Sequence, residues 1–183
     1  MATVPVLSHP PVIADAGQGE IPSATSHVRL VRPTRDLAVA ERFYVQGLGL
    51  KVLFRHSAPT PAADKQQGAG GAAHRGVLEY NILMLGFPGA AWHIELVCKP
   101  SGAARPKEAP RFPDPTPTEE DLLVLYLDGS VDAAVVENLV AAGGRRVKPL
   151  NPYWDRWGVM LEDPDGYRVV LSVRAWENEP LEE

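Results

Sequence analysis

The sequence predicts an α+β chain of two βαβββ modules paired around a central cleft. Three observations carry that expectation. The order strand, helix, strand, strand, strand runs from residue 26 to 99 and again from 121 to 175, and an internal repeat says more about architecture than any single motif. Between the copies, residues 100–120 hold Pro100, Pro106, Pro110, Pro113, Pro115 and Pro117, the composition of a semi-rigid linker. Each half alone has too little core to be comfortable, whereas 183 residues at 45% hydrophobic content can bury a proper one if the halves pair. The pairing is expected to leave both helices outside and a curved sheet around the cleft.

Residues 1–25 carry Pro5, Pro10, Pro11, Gly17, Gly19 and Pro22 and read as a flexible N-terminal arm. Folding signals begin at His27-Val28-Arg29-Leu30-Val31-Arg32, an alternating strand stopped by Pro33. Thr34 or Asp36 can cap the helix that follows. Leu37, Ala40, Phe43, Tyr44 and Leu48 give that helix one apolar face, and Gly47 and Gly49 close it. Leu50 to Phe54 reads as the second strand. Residues 57–75, rich in Ala, Gly, Pro and Gln, have no pattern to pack and form a loop. Val77 to Phe87 and Trp92 to Cys98 are strands joined by a Pro88-Gly89 turn. In the second module Leu122 to Leu127 is a strand. Val131, Ala134, Val135, Asn138, Leu139 and Ala142 lie on a helix ended by Gly143 and Gly144. Arg145-Arg146-Val147, Trp157 to Glu162 and Arg168 to Val173 are the remaining strands, and residues 176–183 are an acidic tail.

Composition narrows the function. A formal net charge of −5 with no clustered basic face argues against nucleic acid. No run approaches the roughly 18 apolar residues of a membrane span, and Met1 to Pro22 does not read as a signal peptide. The single cysteine, Cys98, reads as a small buried hydrophobe. These features point to a cytoplasmic protein that handles a small molecule.

Two stretches carry chemistry. In Trp92-His93-Ile94-Glu95-Leu96-Val97, period two sends His93 and Glu95 to one face of a sheet. On an ordinary half-buried sheet such residues simply face water. In an apolar cleft a carboxylate would acquire a raised pKa and serve as general acid or base, with His93 sharing the proton. Asn151-Pro152-Tyr153-Trp154-Asp155-Arg156-Trp157 reads as a loop that packs three aromatic rings, an amide and a charge pair. It is either a lid over the core or a pocket wall oriented by Asn151 and Asp155. Tyr80 and Trp92 face either core or cleft. Arg29 would point the same way as His27 and offer a fork to an anionic or enolate oxygen, taking the place of a metal as electrophile.

Three places resemble the vicinal oxygen chelate superfamily of glyoxalase I, extradiol dioxygenases, and fosfomycin- and bleomycin-resistance proteins. They are His27 to Leu30 running on through Asp36-Leu37 to Phe43-Tyr44-Val45-Gln46-Gly47-Leu48-Gly49-Leu50, then His93-Ile94-Glu95-Leu96-Val97, and Glu162-Asp163-Pro164-Asp165-Gly166-Tyr167-Arg168-Val169-Val170-Leu171. Within it, Arg32-Pro33-Thr34 and Asn151-Pro152-Tyr153-Trp154 look like a small glyoxalase-like subgroup. The resemblance implies paired βαβββ modules whose metal-dependent members ligate a divalent ion through His or Glu on the first and fourth strands of each module. Carried over by position, Glu95 matches, Val170 and Leu122 or Leu123 cannot ligate, and the first-strand position falls on Arg29 or His27. The implied function is a metal-independent or atypical enzyme. It would run proton-transfer chemistry (isomerase, lyase or cyclase) on a carbonyl or aromatic substrate. Glu95, His93 and Arg29 would be catalytic, and His27, Tyr80, Trp92, Asn151, Tyr153, Trp154, Asp155 and Trp157 would bind substrate. Alternatives are a non-catalytic bleomycin-resistance-like binding protein, or a lyase or dioxygenase using a divalent metal on His27, His93 and Glu95. An exposed sheet edge could also support a homodimer.

Overall fold

A computed structural model describes residues 22–58, 80–99 and 114–180. It bears out the α+β class. Sheet 1 contains β1 (Val28–Pro33), β2 (Lys51–His56), β3 (Asn81–Gly86) and β4 (Trp92–Cys98) in the order β1-β4-β3-β2. Sheet 2 contains β5 (Leu122–Tyr126), β6 (Arg145–Arg146), β7 (Gly158–Glu162) and β8 (Arg168–Ser172) in the order β5-β8-β7-β6. In each sheet the first and last strands pair parallel and the rest antiparallel. The two modules therefore repeat one topology. The expected loop over 57–75, the linker and the arm fall largely outside the described residues.

Local details differ from the sequence reading. Pro33 does not stop β1 but belongs to it, opposite Val97. β1 is an edge strand, where a missing N–H costs no ladder bond. Asp36 rather than Thr34 caps α1 (Leu37–Glu41), accepting from the amides of Ala38 and Val39. The helix then widens into a π-helical stretch over Arg42–Gly47. That widening lets the adjacent Phe43 and Tyr44 both reach zero exposure. Gly49, at φ 89°, turns the chain into β2. Val131 precedes helix α2 (Ala133–Ala141), which Asp132 caps.

The helices of the two modules pack on each other. The π-helical stretch packs on α2, close enough that a Cβ on Gly47 would lie 3.0 Å from the Leu139 Cα. Leu83, Leu85, Ile94 and Leu96 of sheet 1, Leu161, Val169 and Leu171 of sheet 2, and Phe43, Tyr44 and Leu139 of the helices form one buried cluster. Each such large side chain stabilises the fold by about 1.5–3 kcal/mol. Strand alternation then sends His93 and Glu95 to the other face of sheet 1, and Met160, Val170 and Ser172 to the other face of sheet 2. A cleft lies between the modules, walled by helix residues and by side chains from both faces of β5, as described below.

Candidate functional site

Strands β1 and β4 bring four of the expected residues together. Their parallel register sets Arg29 beside His93 and Val31 beside Glu95, so Arg29 reaches both polar residues of β4. Arg29 Nε donates to His93 Nε2 at 3.0 Å, and Arg29 Nη1 donates to Glu95 Oε2 at 2.9 Å. His27 Nε2 lies 2.7 Å from His93 Nδ1, with the rings 4.9 Å apart. The order is therefore His27, His93, Arg29, Glu95.

The donors fix the proton positions. A guanidinium only donates, so His93 Nε2 accepts, and the proton of the neutral imidazole sits on Nδ1 facing His27. Burial pushes the His93 pKa down, and the charges of Arg29 and His27 push it the same way. Glu95 is nearly buried, with 11% of its side chain exposed, while the Arg29 side chain is 46% exposed. Glu95 is thus not the lone carboxylate in an apolar cleft that its strand suggested. It is one end of an ion pair whose cation opens to solvent.

The 151–157 segment is placed elsewhere, and it is not a loop. Residues Pro152–Trp157 form helix α3 on the second module. Asn151 Oδ1 caps it by accepting from the Tyr153 amide at 2.9 Å, and Pro152 occupies the first turn. Asparagine followed by proline was the signal for this helix. Arg156 and Arg174 lie over the Trp157 ring at 4.8 and 5.2 Å, Tyr153 meets Trp154 edge-on, and Tyr153 OH accepts from Arg174 at 3.4 Å. Asp155 lines a separate cavity of about 360 Å³ with Arg146 and Lys148. Among the described residues no hydrogen bond, ion pair or ring contact joins this segment to the Arg29 group. Tyr80 is half-buried just before β3.

Trp92 faces the other way from His93 and lines the cleft between the modules. That cleft holds about 540 Å³ and is walled largely by apolar side chains, among them Leu48, Phe87, Tyr126, Leu127 and Val135. None of these five was expected to line a site from the sequence. The available signals were Phe87 ahead of a Pro-Gly turn and Tyr126-Leu127 ending a strand, where large apolar residues have no core to enter.

A second buried group joins the modules. Tyr44 OH donates to Asp163 Oδ2 at 2.7 Å, and Asp163 Oδ1 accepts from the amides of Asp165 and Tyr167. Arg32, 5% exposed, lies 4.4 Å over the Tyr167 ring. Burial raises the Asp163 pKa against these hydrogen bonds, and it raises Tyr44 well above the usual phenol value. Thr34 and the Arg35 amide bind the Asp165 carboxylate from the first module. The Glu162 to Gly166 turn therefore holds the modules together.

Comparison with known proteins identifies relatives of this chain. The YycE-like C-terminal domain matches residues 120–173. Uncharacterized protein YycE of Bacillus subtilis (strain 168) is 33% identical over 147 residues, 80% of this chain and 86% of that one. The chain belongs to the YycE family. A solved YycE protein of unknown function from Bacillus subtilis superposes with a TM-score of 0.61 at 30% identity, covering 85% of this chain and 95% of that one. Glyoxalase I of Leishmania major gives 0.47 at 16% identity, covering 79% and 84%. The fold is the glyoxalase-like fold of that solved YycE protein.

The metal that this fold group implies does not suit this YycE-family chain. A divalent ion between His93 and Glu95 would meet the Arg29 guanidinium, which already holds His93 Nε2 and Glu95 Oε2. His93 Nδ1 faces His27. On sheet 2, Val170 and Met160 pair on the corresponding face and offer no oxygen or nitrogen ligand to a divalent ion. A cation, the Arg29 guanidinium, is already built into the chain at this point.

Proposed function

We propose that this YycE-family protein is a metal-independent enzyme that moves a proton on a small carbonyl-bearing or aromatic substrate at the Arg29–His93–Glu95 face. The observation that carries the reading is the Arg29 fork, one arm on His93 and one on Glu95, with the side chain still half open to solvent.

The chemistry uses atoms that the fork leaves free. Glu95 Oε1 takes a proton from the carbon beside a carbonyl, and the C–H electron pair forms the enolate. Arg29 Nη2, unengaged among the described residues, donates to the enolate oxygen in place of a Lewis acid. Return of the proton from Glu95 to another atom of the substrate completes an isomerisation, and no oxidant is required. His93, held neutral, fixes the guanidinium plane, which makes it a positioning residue. We place His27 in substrate binding, and read Asn151 to Trp154 as the mark of a subgroup. No helix of the described residues is long and apolar enough to cross a membrane, and we assign the protein to the cytoplasm. The exposed edge strand β1, with Val28 and Val31 open to water, supports a homodimer that would shield this face.

Deuterium uptake tests the reading. The protein is incubated with chelator in D2O with a panel of enolisable ketones and aldehydes, and NMR follows exchange at carbon. Uptake by wild type that disappears in Glu95→Gln is the expected result. Uptake that needs added metal, or that survives Glu95→Gln, contradicts it.

A further inference from the structure

The cleft between the modules is chemically unlike the Arg29 face, although Trp92 and His93 are sequence neighbours. Its volume of about 540 Å³ falls within the roughly 300–1,000 Å³ of pockets that hold drug-sized ligands. Its rings are held in place before any ligand arrives. Phe87 stands edge-on to Trp92, with centroids 6.1 Å apart and planes at 83°. From the second module, Tyr126 stacks with Trp176 at 5.8 Å and 28°. Phe87, Tyr126 and Leu127 are 41%, 40% and 43% exposed, so large apolar side chains from both modules meet water around one opening. Grouped exposure of this kind in a folded chain marks a binding surface rather than scatter.

Charge selects the ligand class. Among the described residues, the one charged residue lining the cleft is Asp132, and its carboxylate already accepts from the Ala134 amide at 2.9 Å as the cap of α2. An anion would be repelled there, and a cation would have to compete with the cap. A neutral molecule loses nothing by entering. We propose that this cleft is a binding site for a small, uncharged, aromatic or aliphatic molecule, separate from the Arg29–His93–Glu95 face. The proposal does not depend on that face being catalytic.

The test titrates the neutral fluorophore N-phenyl-1-naphthylamine into the full chain and follows its emission. Saturable binding at one site per chain is the expected result. Leu127→Arg, which puts a charge at the opening without touching the core, should weaken binding about tenfold. Tyr126→Ala should weaken it as well. Arg29→Ala, on the opposite face of sheet 1, should leave the affinity within about twofold. A signal that never saturates, equal binding by Leu127→Arg, or equal loss in Arg29→Ala overturns the proposal. So does sedimentation showing that wild type self-associates through this cleft and that Leu127→Arg abolishes the association, since a second copy would then be the occupant.

Discussion

Arg29 and Glu95, on neighbouring parallel strands, form a 2.9 Å ion pair in which the carboxylate is nearly buried and the guanidinium is half open. Removing the cation strands the carboxylate on β4. Arg29→Ala should therefore cost about 1–2 kcal/mol, less than for a fully buried pair because solvent screens the exposed half. Urea unfolding midpoints check this. Arg29→Lys should not restore function, because a single ammonium cannot hold His93 and Glu95 at once in the fork geometry.

His93 gives the fold a pH dependence. Its pKa is lowered from 6.5 by burial first and by Arg29 and His27 next. Between that lowered value and 6.5 the unfolded chain binds more protons than the folded one. The His93 contribution to stability is thus complete above 6.5 and is lost as pH falls through the folded value. Denaturation curves at pH 8, 6 and 5 should show a decline in wild type that is shallower in His93→Gln.

Tyr44→Phe leaves the buried Asp163 without its phenol donor while preserving the ring's packing. A cost of about 1–3 kcal/mol is expected from the unsatisfied acceptor. Because this bond crosses between modules, the unfolding transition should also broaden, which calorimetry would read. An unchanged midpoint would count against the module-joining role.

Gly144→Ala should destabilise by about 1–3 kcal/mol through overpacking. An added Cβ would press on the Phe43 ring and come 2.8 Å from the Leu139 carbonyl oxygen. The same substitution at Gly89, where nothing lies within 4 Å, should act only through its positive φ. Thermal melts of the two variants side by side check the comparison.

The repeated strand and helix order was legible because period two and helical spacing are local properties of the chain. Glu95 and His93 sharing a face followed from the same periodicity. The π-helical widening was not legible, since it answers to the packing of Phe43 and Tyr44 against both sheets. Helix α3 was written in Asn151-Pro152 as a cap and a first-turn proline, a signal shared with loops rich in aromatics. The close packing of the two modules' helices depends on Gly47 and Gly144, which only the partner element reveals. The pairing of Arg29 with both polar residues of β4 depends on the β1–β4 register, which no local pattern encodes.

The central claim is that the Arg29 guanidinium fills the space between His93 and Glu95 that a divalent ion would need. Calorimetric titration of zinc into chelator-treated protein tests it most directly. Wild type should show no ion that Glu95→Gln removes, whereas Arg29→Ala, which frees His27, His93 and Glu95, should gain one ion per chain and lose it again when combined with Glu95→Gln. One equivalent bound by wild type and abolished by Glu95→Gln would contradict the account.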